Sequence, residues 1–259
     1  MKPINTIKTT LSLLSVSLLL FLFVHMMNTG LIIIGNYVYN TLPFSHDAKN
    51  FSTGVLQQAV QALLGLVLGL AVLRRKVNDF GVTLKNIKPS LVYFAIFALS
   101  WTIISIAYCI LCYFFLPAIW QSMAHTPLPS RSKIFYTLLF QLLFPGIGEE
   151  LLFRAAFISI LAVLLNRTEK NNEFSLPEKN RHIIFSLISA FLFAGAHIYF
   201  STSPFKITHI DPVQQATALV CGFYYAFIYQ KTGNLLAPFL CHNFANAIVT
   251  VLGWIIALF

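Results

Sequence analysis

From Thr9 to Met27 the chain reads TTLSLLSVSLLLFLFVHMM, without one Asp, Glu, Lys or Arg. A helix rises 1.5 Å per residue and the bilayer hydrocarbon is about 30 Å thick, so such a run is one membrane crossing. Comparable runs recur at Val55–Leu73, Leu91–Leu116, Lys133–Leu165, His182–Phe200, Val213–Gln230 and Leu235–Phe259. A soluble globule needs about 25% charged residues to cover its core. This chain of 259 residues has 10%, against 58% hydrophobic. In lipid every backbone N–H and C=O must be paired internally, which for apolar runs of this length means helices. The expectation is an all-α polytopic transmembrane bundle of about seven spans. There is no internal repeat and no soluble domain. Residues 1–130 read as N-terminal transmembrane helices and 131–259 as a second helical core.

The net charge of +9 is not a nucleic-acid signature, because no basic run interleaves with aromatics. It reads as topology. Lys2 and Lys8, five basic residues between 74 and 90, four between 166 and 181, and Lys231 fall on one side of a seven-span chain. Lys49, Arg131, Lys133 and Lys206 fall on the other. The positive-inside bias then puts the N-terminus and the polar loop Asn166–Arg181 in the cytoplasm and Phe259 on the far side. No small-x-small cleavage site follows the first run, so it reads as an uncleaved span. The fourth run is too long for one straight crossing, and Pro145, Gly146 and Gly148 predict a kink in it. Residues 28–54 and 117–132 read as connections. Cys109, Cys112, Cys221 and Cys241 lie in apolar runs, which argues against disulfides and structural zinc.

Inside the fourth run stands GIGEELLFRAAF, residues 146–157. One charged side chain at mid-membrane costs about 2.5–3.5 kcal/mol, so Glu149, Glu150 and Arg154 unpaired would cost roughly 8–10 kcal/mol. Glu150 and Arg154 are four apart and can pair on one helix face. Glu149 lies about 100° around the helix and must face something else. A buried ion pair that only fixes packing accounts for Glu150 and Arg154, and leaves Glu149 unexplained.

Two later runs supply polar counterparts. SLISAFLFAGAHIYF carries Phe193 and His197 on one helix face, and LCHNFANAIV carries His242 and Asn246 in the same relation. Pro238 suits a first helical turn after the turn Thr232-Gly233-Asn234. His125, His209 and Asp211 read as solvated loop residues, and His25, His46 and His182 as interfacial. Gln57, Gln58 and Gln61 mark an aqueous edge of the second span.

Together, and in this order, the motifs EExxxR (Glu149, Glu150, Arg154), FxxxH (Phe193, His197) and HxxxN (His242, Asn246) resemble the CPBP family. These are the CAAX-processing and bacteriocin-processing intramembrane endopeptidases, also called Abi proteins. The resemblance covers roughly residues 133–252. It implies a water-activating carboxylate at Glu149 working with His197, an oxyanion site at His242 and Asn246, and an ordering role for Glu150, Arg154 and Phe193. The family is also described as metalloproteases. A zinc site on Glu149, His197 and His242 therefore stays open beside a metal-free one, although no HExxH supports a metal. The implied partners are membrane lipids and a peptide or lipidated-protein substrate, prenylated CAAX-like or bacteriocin-type, at a bacterial plasma membrane. Two other readings place the same charges in a membrane: a transporter or proton relay, and a non-catalytic immunity or scaffold protein. The depths of Glu149, His197 and His242 in the expected spans disagree by about 10–20 Å at 1.5 Å per residue.

Overall fold

A computed structural model describes residues 3–74, 76–172, 176–202 and 205–258. The architecture is an all-α bundle. Helix α1 (Pro3–Thr41) leads through a short turn into α2 (His46–Val67), which continues as a π turn to Val72. A 3₁₀ turn at Val77–Phe80 precedes α3 (Ile87–Phe115) and the short α4 (Pro117–Ala124). Next come α5 (Arg131–Leu143), α6 (Pro145–Glu150), a π turn (Leu151–Ala156) and α7 (Phe157–Asn172). Helix α8 (Glu178–Gly195), the antiparallel hairpin β1 (Tyr199–Thr202) and β2 (Phe205–His209), α9 (Pro212–Thr232) and α10 (Leu236–Ile256) complete the chain.

Among the described residues, four helical stretches are long and apolar enough to cross a membrane by themselves: Thr9–Thr41, His46–Val72, Ile87–Phe115 and Leu236–Ile256. Their outer faces are hydrocarbon. Leu14, Leu18, Leu99, Ile103 and Phe114 are each more than half exposed, a belt that only lipid covers favourably. The core runs through the middle of the chain instead. Leu152, Phe153, Ala155, Ala156, Phe157, Leu161 and Leu165 have essentially no exposed surface. They are enclosed by α1, α2, α8 and α9.

Several expected boundaries move. Residues 28–54 are not one long connection: α1 continues to Thr41 and α2 begins at His46, because LIIIGNYVYN is as helical in lipid as the run before it. The polar loop Asn166–Arg181 is mostly helix, with α7 reaching Asn172 and α8 starting at Glu178. TEKNN and EKNR are polar but carry no interior Gly or Pro, so they extend the helices past the apolar run. Helix α8 stops at Gly195, and Tyr199, Phe200 and His209 belong to the hairpin rather than to a span or a loop. Asp211 caps α9, accepting from Val213 N and Gln214 N. Phe259 lies outside the described residues.

The most consequential change is at residues 133–165. The expected kink is a complete break, with α5 ending at Leu143 and α6 starting at Pro145. Proline has no N–H and its ring crowds the carbonyl four residues back. At this break the ladder bond from Gly146 N to Leu142 O is replaced by a side chain. Asn243 of α10 accepts from Gly146 N at 2.8 Å and donates to Leu142 O at 2.9 Å. One amide thus satisfies both orphaned groups and ties α10 to the break. The start of α10 is fixed separately. Gly233 takes the left-handed conformation (φ 61°) that ends α9. The buried amide of Asn234 donates to Thr83 O and Lys85 O and accepts from Leu236 N. Asn243→Leu leaves the buried Gly146 N–H without an acceptor. The expected loss is about 1–3 kcal/mol of stability, measured by thermal or denaturant unfolding in detergent, with Phe244→Leu on the same helix as reference.

Candidate active site

The break sets the depth of the glutamates. Glu149 and Glu150 lie in the first turns of a helix that begins at Pro145 and are not at the middle of a long span. His242 lies in the second turn of α10. Both positions follow helix starts joined by Asn243, so the expected depth mismatch between Glu149 and His242 disappears.

Glu150 and Arg154 pair as their spacing predicts, with Oε2 3.0 Å from Nε and both side chains essentially unexposed. The π turn Leu151–Ala156 widens the helix there, and Ser189 Oγ donates to the carbonyl of Phe153. Widened turns of this kind gather at functional sites. The guanidinium also lies 4.5 Å from the ring centre of Phe193 and 5.4 Å from that of Tyr225, so aromatic faces share its charge. The other Glu150 oxygen accepts from His242 Nδ1 at 2.8 Å. His242 itself is 4% exposed. Its ring stacks on Tyr225 and meets Phe193 edge-on.

The second ring nitrogen of His242 stands 3.6 Å from Glu149 Oε2, an ion-pair distance too long for a hydrogen bond. Glu149 Oε1 accepts from Gln58 Nε2 of α2 at 3.0 Å. Its side chain retains 14% exposure, unlike Glu150. The four groups form a chain, Arg154–Glu150–His242–Glu149, in which acid and base alternate. With His242 protonated the charges sum to zero, the condition under which ionised groups are tolerated away from water.

His197, in the turn just past α8, reaches the same aromatic wall, its ring 5.0 Å from that of Phe193. Its Nδ1 lies 2.8 Å from the carbonyl of Phe193. A carbonyl can only accept, so Nδ1 carries the hydrogen and, in the neutral ring, Nε2 offers a lone pair. No hydrogen bond or ion pair joins His197 to Glu149. Asn246, one turn beyond His242, is partly buried, and its side-chain amide bonds to no described residue. Tyr199 of the hairpin lies close enough to Glu149 to feel its charge, and Asn28 of α1 donates to Ala196 O. The hairpin and α1 therefore border the site.

Sequence reasoning missed three contributors, Gln58, Asn243 and Tyr225. Gln58 and Gln61, read as an aqueous edge, are 5% and 4% exposed, and Gln58 meets the α6 backbone at Gly148. The signal was available: Gln58, Gln61, Gly65 and Gly69 keep helical spacing, and the buried face of α2 follows them. Asn243 and Tyr225 carried no usable signal, because their partners lie 97 and 16 residues away. A zinc site needs at least three protein ligands around one point. Among the described residues no three His, Cys, Asp or Glu side chains gather in that way. As arranged, Glu149, His197 and His242 do not make a metal site. All four cysteines are free.

A helical membrane bundle with an alternating carboxylate–imidazole chain in its core has the equipment of an intramembrane hydrolase. Residues 131–248 match the family model described as Type II CAAX prenyl endopeptidase Rce1-like. The matched stretch contains all three motifs. No curated protein and no solved structure gives a significant match.

Removing either member of the buried pair leaves the other charge alone. Arg154→Met and Glu150→Gln should each cost about 3–5 kcal/mol, whereas the double variant should recover part of that loss. Unfolding of the three variants in one detergent measures this, and additive losses would refute the coupling.

Proposed function

We propose that the chain is an intramembrane endopeptidase that hydrolyses membrane-associated substrates, prenylated CAAX-like proteins or bacteriocin-type peptides, through a water activated by Glu149 and His197. The Rce1-like domain supports protease activity in the membrane. The observation that carries the residue roles is the inequality of the two glutamates. Glu150 is committed on both oxygens, to Arg154 and to His242. Glu149 keeps an oxygen free of any hydrogen bond and some solvent access.

Amide hydrolysis needs a base, an oxyanion site and an acid. In this reading Glu149 takes a proton from water while the lone pair of His197 Nε2 orients or shares it. The water oxygen bonds to the scissile carbonyl carbon. The resulting oxyanion receives the Asn246 amide and, from protonated His242, an Nε2–H. When the C–N bond breaks, the proton held at Glu149 or His197 passes to the leaving nitrogen. Glu150 and Arg154 hold His242 with Nδ1 as donor, and Phe193 spaces the two imidazoles. No step needs a metal.

The excess of basic residues on alternate loops supports a plasma-membrane protein with a cytoplasmic N-terminus, and a bacterial host is part of the same proposal. A transporter or proton relay shares the charges, but the family domain favours hydrolysis. A non-catalytic scaffold is separated only by assay.

The test is cleavage of a fluorogenic farnesylated CAAX peptide by purified protein. Glu149→Gln should lower kcat roughly 10²–10⁴-fold with unfolding unchanged, and Asn246→Ala roughly 10²–10³-fold. His242→Gln keeps a donor and should retain partial activity, and strong chelators should have little effect. Wild-type turnover in Glu149→Gln would overturn the proposal. Parallel loss of stoichiometric zinc and activity on chelation would replace its metal-free form.

A further inference from the structure

We propose that Gln58, near the middle of α2 and outside the family-matched segment 131–248, is a positioning residue for Glu149. The proposal rests on the reading of Glu149 as the base and deepens it. Three observations carry it. Gln58 Nε2 donates to Glu149 Oε1 at 3.0 Å, and it is the only hydrogen-bond donor that the carboxylate has among the described residues. Gln58 is 5% exposed, and its own Oε1 is buried without a partner. That leaves one sensible orientation of the amide, since the reverse would press a carbonyl oxygen against a carboxylate.

The third observation is the fit of α2 against the catalytic turn. A Cβ added at Gly148 would lie 2.5 Å from the Gln58 carbonyl oxygen and 2.9 Å from its Cα, and would collide with Gln58 Oε1. A Cβ at Gly65 would lie 2.8 Å from the Leu151 carbonyl. The two helices therefore meet backbone to backbone on either side of the glutamates. This contact holds the α2 backbone at Gln58 directly against the turn that carries Glu149.

Glu149 has two staggered torsions and a softer terminal one before its carboxylate, and ordering such a side chain costs up to about 2 kcal/mol. The Gln58 hydrogen bond holds Oε1 and turns Oε2 toward His242 Nε2. The other groups around Glu149 are titratable or charged: His242 from α10, Tyr199 from β1, and Glu150 and Arg154 following it in the chain. Gln58 is the neutral one. It supplies direction without adding a charge that would compete for the proton.

Gln58→Met preserves length and shape but removes the donor. Gln61→Met makes the same change one turn along the same buried face, where no bond to Glu149 exists. Two readouts are needed. With the farnesylated peptide, Gln58→Met should lower kcat roughly 10- to 100-fold, the worth of a hydrogen bond to a charged group, with KM within about threefold. In the infrared, the asymmetric carboxylate stretch of Glu149, isolated by subtracting the Glu149→Gln spectrum, should move to higher wavenumber in Gln58→Met. It should stay in place in Gln61→Met. Gln58→Glu, equal in shape, should move the band and lower kcat further, and it decides the question if the methionine variant does not fold. An unmoved band in Gln58→Met overturns the proposal, as do equal losses in Gln58→Met and Gln61→Met. If wild-type protein cleaves nothing, the peptidase reading fails. The infrared band still decides whether Gln58 holds Glu149.

Discussion

The structure depends on keeping ionised groups in a core from which water is almost excluded. Arg154, with no exposed surface, is the most deeply buried charge described, and the bundle is arranged around it. Glu150 neutralises it from one turn back, Phe193 and Tyr225 supply aromatic faces, and the π turn gives it room. An isolated ion there would cost several kcal/mol, and its pairing recovers that cost only with good geometry. The geometry draws in α8, α9 and α10, because Phe193, Tyr225 and His242 come from each in turn. Neutralising one buried cation therefore assembles the site.

The break at Pro145 serves the same end. A continuous helix from 131 to 172 would carry its glutamates at mid-length. Cutting it at Phe144 creates a new helix start and places Glu149 one turn beyond it. The freed Leu142 carbonyl and Gly146 N–H need partners, and the Asn243 amide supplies both. Asn243 adjoins His242 in sequence, so the repair of the break and the delivery of the imidazole are one event. The spacing between Pro145 and Glu149 and the adjacency of His242 and Asn243 are matching halves of a single joint.

Local and periodic features were legible in the sequence. The apolar runs identified an all-helical membrane protein, and the i, i+4 relation of Glu150 and Arg154 identified their pair. The isolation of Glu149 followed from the 100° helical step alone. What was not legible is set by tertiary contact. Hydropathy ends a helix where polarity begins, but TEKNN and EKNR remain helical beyond the lipid-like stretch. The hairpin at Tyr199–His209 shares the aromatic, β-branched composition of a span end. Gln58 looked like a surface residue because glutamine usually is one. Its burial depends on Gly148, 90 residues away, having no side chain.

That dependence bears on how the two parts of the chain divide their work. The family-matched segment begins at Arg131, yet Glu149 takes its hydrogen bond from α2. Helix α2 is also anchored at its start, where Asp47 accepts from Ser130 and Ser132 at the head of α5. Its far end packs Gly69 against Phe80, beside the loop held by Asn234. Fixed at both ends, α2 has little freedom to slide along α6, and a slide of one residue would carry Gln58 about 1.5 Å along the axis. That is enough to break a 3.0 Å hydrogen bond, and with it the geometry of the one carboxylate that the buried ion pair leaves free.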